Sequence, residues 1–176
     1  MHKLALALAL FAAPAYATGL EIDLGGGVDG VVTIDLFEDV APNHVGRITE
    51  LARRGAYDGV VFHRVIDGFM AQTGDVQFGR ADGDLSRAGY GGSDLPDLEQ
   101  EFSDVPFERG VVGMARSGNS VDSANSQFFI MFDPAPHLNG DYTVVGEVTS
   151  GMELIDQIPS TGQGDVVVME DVTVTD

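Results

Sequence analysis

The chain of 176 residues carries 28 acidic and nine basic side chains, which gives a formal charge of −19, and it contains no cysteine. Its length favours one domain, and an apolar content of 44% with ten phenylalanines is sufficient for a packed core. The acidic charge disfavours nucleic acid as a partner, and the lack of cysteine excludes disulfides, thiolate nucleophiles and zinc held by cysteine.

Residues 1–17 have the pattern of a cleavable secretory signal peptide. A short basic start precedes an apolar run over residues 4–13, and Ala15-Tyr16-Ala17 matches an A-x-A cleavage site. The run is too short to cross about 30 Å of hydrocarbon, so no membrane span is expected. A buried N-terminal helix is the alternative, but the run has no amphipathic face. We predict an exported domain of residues 18–176, in the periplasm rather than the extracellular medium.

The first predicted elements after residue 17 are two strands and a helix. Apolar and polar residues alternate over residues 20–24 and 32–36, as expected for strands with one face in water. Residues 25–30 match the dinucleotide-binding pattern G-x-G-x-x-G, but a strand follows where that site needs a helix, so we interpret them as a hairpin turn. An apolar face, Pro42 in the first turn and Gly55 at the end predict a helix over residues 42–54.

The remaining chain is mostly strand-like. Strands are predicted at residues 60–66, 69–73, 111–115, 127–132, 143–148 and 166–174, the last with a break near Glu170, and a second short helix at residues 151–158. Residues 77–97 lack a period, and loops of this length are usually functional or mobile. Many short strands with two helices favour a closed barrel or a sandwich over a parallel α/β sheet.

The sequence contains no hydrolase or metal-site motif. After residue 17 the possible histidine bases are His44, His63 and His137, and none lies in a G-x-S-x-G or H-E-x-x-H motif. The acidic tripeptide at residues 82–84 lacks the remaining ligands of a calcium loop, so we interpret it as a solvated turn. The sequence therefore supports no metal site.

Two segments contain the most informative residue combinations. Residues 62–75 read Phe-His-Arg-Val-Ile-Asp-Gly-Phe-Met-Ala-Gln-Thr-Gly-Asp, and a second segment runs from Gly-Met-Ala-Arg at 113–116 to Asn-Ser-Gln-Phe-Phe-Ile at 125–130. A core strand with an arginine at its edge would explain each residue of the first segment taken singly. Together the two segments resemble the cyclophilin family of peptidyl-prolyl cis-trans isomerases, and the resemblance covers nearly the whole chain after residue 17.

The resemblance implies a mainly β fold, a closed eight-stranded antiparallel barrel capped by two α-helices, with a substrate groove on its outer surface. It implies catalysis of rotation about Xaa-Pro peptide bonds without a cofactor. The expected partners are proline-containing segments of unfolded or folding exported proteins, and the expected state is a monomer. Rotation breaks no covalent bond, so a fitted pocket and a well-placed donor are sufficient.

The resemblance also assigns a site. Arg64 matches the catalytic arginine of the family, whose guanidinium can donate to the prolyl nitrogen of the twisted amide while it holds the substrate carbonyl. Gln72 is expected to orient Arg64 and to contact the substrate backbone, and backbone groups of Arg116 are expected to pair with the peptide. The other residues expected to bind substrate around the proline pocket and groove are Phe69, Met70, Ala115, Gln127, Phe129, His137, Leu138 and Tyr142.

Three positions depart from the pattern of many relatives. Arg116 replaces an asparagine, as in bacterial exported members. His137 replaces a tryptophan whose indole donor is important for cyclosporin binding, so cyclosporin sensitivity is not predicted. Tyr142 replaces a histidine and can still wall the pocket and donate a hydrogen bond. None of the three changes Arg64, so we expect catalysis to be retained.

Two other functions are compatible with parts of the sequence. One is a binding module that holds a partner in the groove without catalysis, although the matching residues Arg64, Phe69, Met70 and Gln72 argue against it. The other, an acidic calcium-binding or envelope structural protein, rests on composition alone. The acidic composition also suggests a hypothesis about substrates, because a general negative surface would disfavour acidic segments next to proline.

Overall fold

A computed structural model describes residues 18–175. The predicted signal peptide therefore lies outside the described residues. Neither helix within this part of the chain is long and apolar enough to cross a membrane. In chain order the elements are β1 (Gly19–Gly26), β2 (Gly30–Leu36), α1 (Pro42–Arg53), β3 (Val60–Val61), β4 (Arg64–Ile66), β5 (Met70–Thr73), β6 (Val111–Met114), β7 (Phe128–Met131), β8 (Val144–Ser150), α2 (Met152–Ile155) and β9 (Val167–Thr175), with short 3₁₀ turns at Leu85–Arg87 and Pro136–Leu138.

The nine strands of the described chain form one antiparallel sheet in the order β3-β9-β1-β2-β8-β6-β7-β5-β4. The edge strands β3 and β4 are separated along the chain only by Phe62 and His63. The sheet must therefore curl until its two edges lie near each other, within the reach of that short connection. The predicted mainly β, antiparallel fold with two helices is confirmed.

The expectation of eight strands closed into a barrel is not confirmed. Residues 60–66, predicted as one strand, form two, because β3 pairs with β9 whereas β4 pairs with β5. The chain leaves one sheet edge and joins the other at Phe62 and His63, and this change of partner divides the strand. No hydrogen-bonded ladder joins β3 to β4 within residues 18–175, so the sheet is open.

The structure differs from the predicted elements at β9 and α2 and agrees with them at the β1–β2 hairpin. β9 does not break at Glu170, since β1 pairs Asp23 with Asp171 and Leu24 with Met169, which leaves Glu170 as a β-bulge in a continuous strand. Helix α2 is shorter than the predicted residues 151–158. After it, Gln157 and Ile158 donate their N–H groups to the carbonyls three residues earlier, as in a 3₁₀-helix, and not four residues earlier. The hairpin predicted at residues 25–30 is confirmed by the β1–β2 ladder.

Alternation of side chains gives the sheet two apolar faces. On β7, Phe128 and Ile130 pack in the main core with the apolar side of α1, whereas Phe129 and Met131 project to the opposite face. That opposite face has its own smaller group of buried side chains, here called the outer cluster. The outer cluster consists of Met70, Phe107, Val111, Phe129, Met131, Ala135, Leu138 and Val144.

Backbone groups at both sheet edges have partners beyond the ladders. On β4, the Val65 N–H donates to Oγ1 of Thr161 at 2.7 Å, and the Val65 carbonyl accepts from the Thr161 N–H at 3.1 Å. At the other edge, β3 covers only Val168 and Met169 of β9. Further along β9, the Val172 N–H donates to the Asp58 carboxylate at 3.1 Å. These contacts satisfy groups that a sheet edge would otherwise leave unpaired.

Helix α1 has no side-chain cap from Ala41, the residue before it, and is capped instead by a distant carboxylate. Glu101 accepts hydrogen bonds from the N–H groups of Asn43 and His44 at 3.1 and 3.0 Å, and it lies 2.6 Å from Nδ1 of His44. Burial disfavours the charged form of Glu101, but the hydrogen bonds from His44 and Asn43 outweigh it, so the pKa of Glu101 is lowered. A negative charge at this end of a helix is favourable.

Glu101→Gln should destabilise the protein by about 1 kcal/mol at neutral pH, because a neutral amide is a weaker cap for α1. A carboxyl whose pKa is lowered by folding stabilises the fold above its unfolded pKa of about 4.3, and this contribution is lost as the pH falls through the folded pKa. The difference in unfolding free energy from wild type, measured in urea, should therefore shrink between about pH 6 and about pH 3. Glu99→Gln, at an exposed position, serves as the control. A difference that is constant with pH would contradict this role.

Candidate active site

The register of three strands brings the predicted site residues together on the outer face of the sheet. Arg64 on β4 lies opposite Gln72 on β5, and Gln72 lies opposite Phe129 on β7. The next strand, β6, has Gly113 opposite Phe129. Because directly opposed residues in an antiparallel pair project to the same face, Arg64, Gln72 and Phe129 form one row across three strands. Met70 is two residues from Gln72 and shares its face.

A pocket of about 170 Å³ lies on this row. Every side chain that lines it belongs to the predicted site, and the apolar members outnumber the polar ones. The lining residues are Arg64, Phe69, Met70, Gln72, Ala115, Arg116, Phe129, Leu138 and Tyr142. The structure thus brings nine of the eleven predicted residues into one concave surface.

The other two predicted residues, Gln127 and His137, lie beside the pocket. Gln127 lines an adjoining cavity of about 460 Å³, which shares Gln72, Ala115 and Arg116 with the smaller pocket. The exposed ring of His137 stacks on Phe69, with ring centroids 5.8 Å apart and an angle of 27° between the planes. His137 therefore packs against Phe69 at the side of the pocket and does not line the pocket itself.

Aromatic side chains pack around Phe129, which forms one wall of the pocket. Phe129 packs edge-to-face against Tyr142 and is stacked on Phe107, with centroid distances of 5.7 Å in both pairs. Phe107 is buried and was not predicted, since it lies in a segment with no helical or strand periodicity. Gly113 leaves room for both rings, because a Cβ there would lie 2.6 Å from atoms of Phe107 and Phe129.

A chain of side-chain hydrogen bonds runs from Arg64 into the long loop. Nη1 of Arg64 donates to Oε1 of Gln72 at 3.2 Å, and Nε2 of Gln72 donates to Oε1 of Gln127 at 2.9 Å. Nε2 of Gln127 then donates to the carbonyls of Gly89 and Gly91 at 3.1 and 2.8 Å. Each amide accepts from one neighbour and donates to the next, so the orientation of both glutamines is defined by this network.

The loop that ends this network is itself anchored. The buried carboxylate of Asp75 accepts from the N–H groups of Gln77, Phe78, Gly89 and Gly91 at 2.7–3.1 Å. Further along, the side chain of Asn125 accepts from the Ser93 N–H and donates to the Leu95 carbonyl. Both anchors lie within the two sequence segments that carry the family resemblance, although their role in holding residues 77–97 was not predicted.

His63 adds no charge to the site at neutral pH. Its ring packs near Gly89, where a Cβ on the glycine would come 3.0 Å from the imidazole. Burial lowers the pKa of His63, and the nearby Asp75 carboxylate opposes this effect without reversing it. The positive charge at the pocket therefore comes from Arg64 and Arg116.

The chain is similar to known peptidyl-prolyl isomerases in sequence and in structure. The family model described as cyclophilin type peptidyl-prolyl cis-trans isomerase/CLD matches residues 20–176. A probable peptidyl-prolyl cis-trans isomerase of Brucella suis is 63% identical over 132 residues, which cover 74% of this chain and 67% of the relative. Peptidyl-prolyl cis-trans isomerase B of Bacillus subtilis is 40% identical over 123 residues, which cover 69% of this chain and 78% of the relative.

A solved structure shows the same fold. The crystal structure of a cyclophilin type peptidyl-prolyl cis-trans isomerase from Cryptosporidium parvum matches with a TM-score of 0.78 at 26% identity, over 92% of this chain and 99% of the other. The fold is thus that of an isomerase that twists prolyl peptide bonds. The chain belongs to the cyclophilin-type peptidyl-prolyl cis-trans isomerase family and is an enzyme of that activity. The predictions of the family and of the activity are confirmed.

Gly113→Ala should lower kcat/KM for a proline-containing peptide by about tenfold or more, because the added methyl group must displace Phe129 from the pocket wall. The same overpacking should cost about 1–3 kcal/mol in unfolding free energy. Gly118→Ala is the matched control, since a Cβ at that position meets nothing within 4 Å and its φ is not positive. Equal activity of the two variants in a cis/trans exchange assay would show that Gly113 does not shape the pocket.

Proposed function

We propose that Arg64 is the catalytic residue, that the pocket beside it holds the proline ring, and that the enzyme acts on exported proteins. The observation that supports this most directly is the position of the Arg64 guanidinium. It is exposed at the rim of a small apolar pocket, and within residues 18–175 it donates one hydrogen bond, to Gln72. Its remaining N–H donors are free to meet a substrate.

The reaction requires a donor rather than a nucleophile. Amide resonance opposes rotation about the bond by about 18–20 kcal/mol. As the bond twists, the prolyl nitrogen becomes pyramidal and regains a lone pair, which can accept a hydrogen bond. A fixed guanidinium stabilises this twisted state more than the planar state and so lowers the barrier. Arginine suits this task because its planar fork stays charged and directs its donors.

The network behind Arg64 supports its assignment as a fixed donor. Gln72 receives one N–H of the guanidinium and is held by Gln127, which is held in turn by loop carbonyls. A donor that is already oriented needs little reorganisation when the twisted amide forms. Gln72 and Gln127 are therefore positioning residues in this proposal, and Gln72 also contacts the substrate backbone.

The walls of the pocket suit a proline ring. Met70, Phe129 and Leu138 are each less than a tenth exposed and present apolar surface, while Phe69 and Tyr142 complete the sides. Removing the pyrrolidine ring from water favours binding in proportion to the area buried. Because only apolar packing holds the ring, and no covalent bond to the enzyme forms, the ring can leave once the peptide bond has rotated.

Backbone groups next to the pocket can hold an extended peptide. β6 ends at Met114, and the Ala115 N–H still donates to the carbonyl of Gln127. Within residues 18–175 the N–H and C=O of Arg116 have no hydrogen-bond partner. Arg116 is thus the first residue beyond the end of β6 whose N–H and C=O are both free to pair with a substrate in the manner of an added strand.

The cellular setting is proposed from the sequence. The signal pattern of residues 1–17 supports export to the periplasm, where slow proline isomerisation can limit the folding of other exported proteins. In this setting the enzyme works as a monomer on unfolded or partly folded chains.

Arg64→Ala should reduce kcat/KM for an Xaa-Pro peptide by about 100-fold, as expected for loss of one preorganised donor. Unfolding free energy should change by about 0.5 kcal/mol or less, because the side chain is exposed. Arg54→Ala is the control, since it removes the same charge from a residue that lines neither cavity. Turnover is measured by NMR exchange between the cis and trans peptide. Full turnover by Arg64→Ala would refute the mechanism, and binding without exchange by wild type would indicate a binding module.

Export predicts processing at a defined bond. When the full chain is expressed in a Gram-negative bacterium, the mature protein should be found in the periplasmic fraction with Thr18 as its N-terminal residue. Ala17→Phe should block processing because the cleavage site requires a small residue, whereas Tyr16→Phe, at the variable position, should be processed normally. N-terminal sequencing and fractionation provide the measurement. An unprocessed wild-type chain in the cytoplasm would contradict export.

A further inference from the structure

Arg116 is the second arginine at the proline pocket, and within the described part of the chain it has no acidic partner. Its Nε donates to the carbonyl of Asp141 and its Nη1 to the carbonyl of Ser117, both at 3.0 Å. Its guanidinium carbon lies 4.4 Å from the centroid of the Tyr142 ring. Within residues 18–175 it forms no ion pair, and its Nη2 makes no hydrogen bond. The charge is therefore fixed in position by neutral groups and still available to a ligand.

The location of Arg116 places this charge on the path of a bound peptide. It lines both the proline pocket and the adjoining cavity, together with Gln72 and Ala115. A peptide whose proline ring occupies the smaller pocket must cross this boundary when its neighbouring residues extend into the larger cavity. A side chain close to the proline in sequence can therefore reach the Arg116 guanidinium.

The charge around the pocket is opposite to the charge of the whole protein. Among the described residues, those with charged side chains that line the proline pocket are Arg64 and Arg116, and none is a carboxylate. In the lining of the larger cavity the carboxylate is that of Asp97, which already accepts a hydrogen bond from Asn125 at 2.9 Å. The chain as a whole has 28 acidic side chains against nine basic ones. The proline pocket is thus a local positive region on a negative protein.

We propose that Arg116 is a specificity-determining residue that favours substrates with a glutamate or aspartate within two residues of the proline. The proposal rests on the function proposed above, because it concerns the peptide that occupies the same pocket. A substrate carboxylate would accept charge-assisted hydrogen bonds from Nη2, with Arg116 already oriented by Asp141, Ser117 and Tyr142. This preference is the reverse of the one that the overall acidic composition suggests.

The two electrostatic effects differ in their range. Repulsion between an acidic peptide and the acidic surface acts over long distances and is largely screened at about 0.15 M salt, where the Debye length is about 8 Å. A direct contact with a half-buried guanidinium is screened much less. Raising the salt concentration should therefore raise the relative turnover of acidic peptides in either case, but it should bring that turnover above the turnover of neutral peptides only if Arg116 makes the contact.

The test uses peptides that differ at one position within two residues of the proline, where they carry Glu, Gln or Lys. At about 0.15 M salt the wild-type protein should show a kcat/KM ratio of Glu to Gln peptide of about three to ten, and a Lys to Gln ratio below one. Arg116→Gln should bring both ratios close to one. Arg54→Gln, which removes the same charge from the end of α1, should leave both ratios as in wild type.

The outcomes separate this proposal from the proposed function. The role of Arg116 would be overturned by a Glu to Gln ratio of one or less in wild type, or by the same ratio in Arg116→Gln as in wild type. In either case the isomerase activity on the Gln peptide would still support the proposed function. A ratio below one at low salt that rises only to one at high salt would show that the general surface charge alone acts. Failure of wild type to isomerise any of the three peptides would overturn both proposals.

Discussion

Hydrogen bonds between β4, β5 and β7 decide which side chains lie beside one another on the outer face of the sheet. Their register aligns Arg64, Gln72 and Phe129, and a slip of one residue in β5 would turn Gln72 to the main core and bring Ala71 and Thr73 to the pocket. The register is held at the end of β5, where Oγ of Ser126 donates to the Gly74 carbonyl at 2.7 Å. The positions of Arg64 and of the apolar side chains of Met70 and Phe129 at the pocket depend on this alignment.

A second constraint lies in the polar network that connects Arg64 to residues 77–97. A buried carboxylate is costly unless its oxygens are hydrogen-bonded, and Asp75 meets this requirement with four backbone N–H groups. The loop so fixed supplies the carbonyls that orient Gln127, and through it Gln72 and Arg64. A long loop without secondary-structure periodicity thus helps to hold the Arg64 side chain in place. In the proposed mechanism this is how the loop contributes to catalysis, although none of its own side chains is predicted to touch the reacting amide.

Local sequence patterns were sufficient for most elements but not for the way they combine. Alternation predicted β1, β2 and most other strands, and an apolar face predicted α1, because each pattern reflects burial of a single element. The division of residues 60–66 was not predictable, since a change of pairing partner leaves no periodic signal. The family resemblance identified the pocket residues, yet it did not indicate Phe107 or the space at Gly113, because their roles arise from contacts between distant segments.

The short edges of the curled sheet affect how the enzyme meets its substrates. Proline-containing chains in extended form present unpaired backbone groups, and a long exposed sheet edge would capture them as an added strand or promote fibril formation. Here β3 has two residues and β4 has three, and neighbouring groups are bonded to Asp58 and Thr161. These edges offer little template for intermolecular β-pairing. In the proposed function, extended chains bind instead at the groove beside Arg116, from which an isomerised peptide can dissociate.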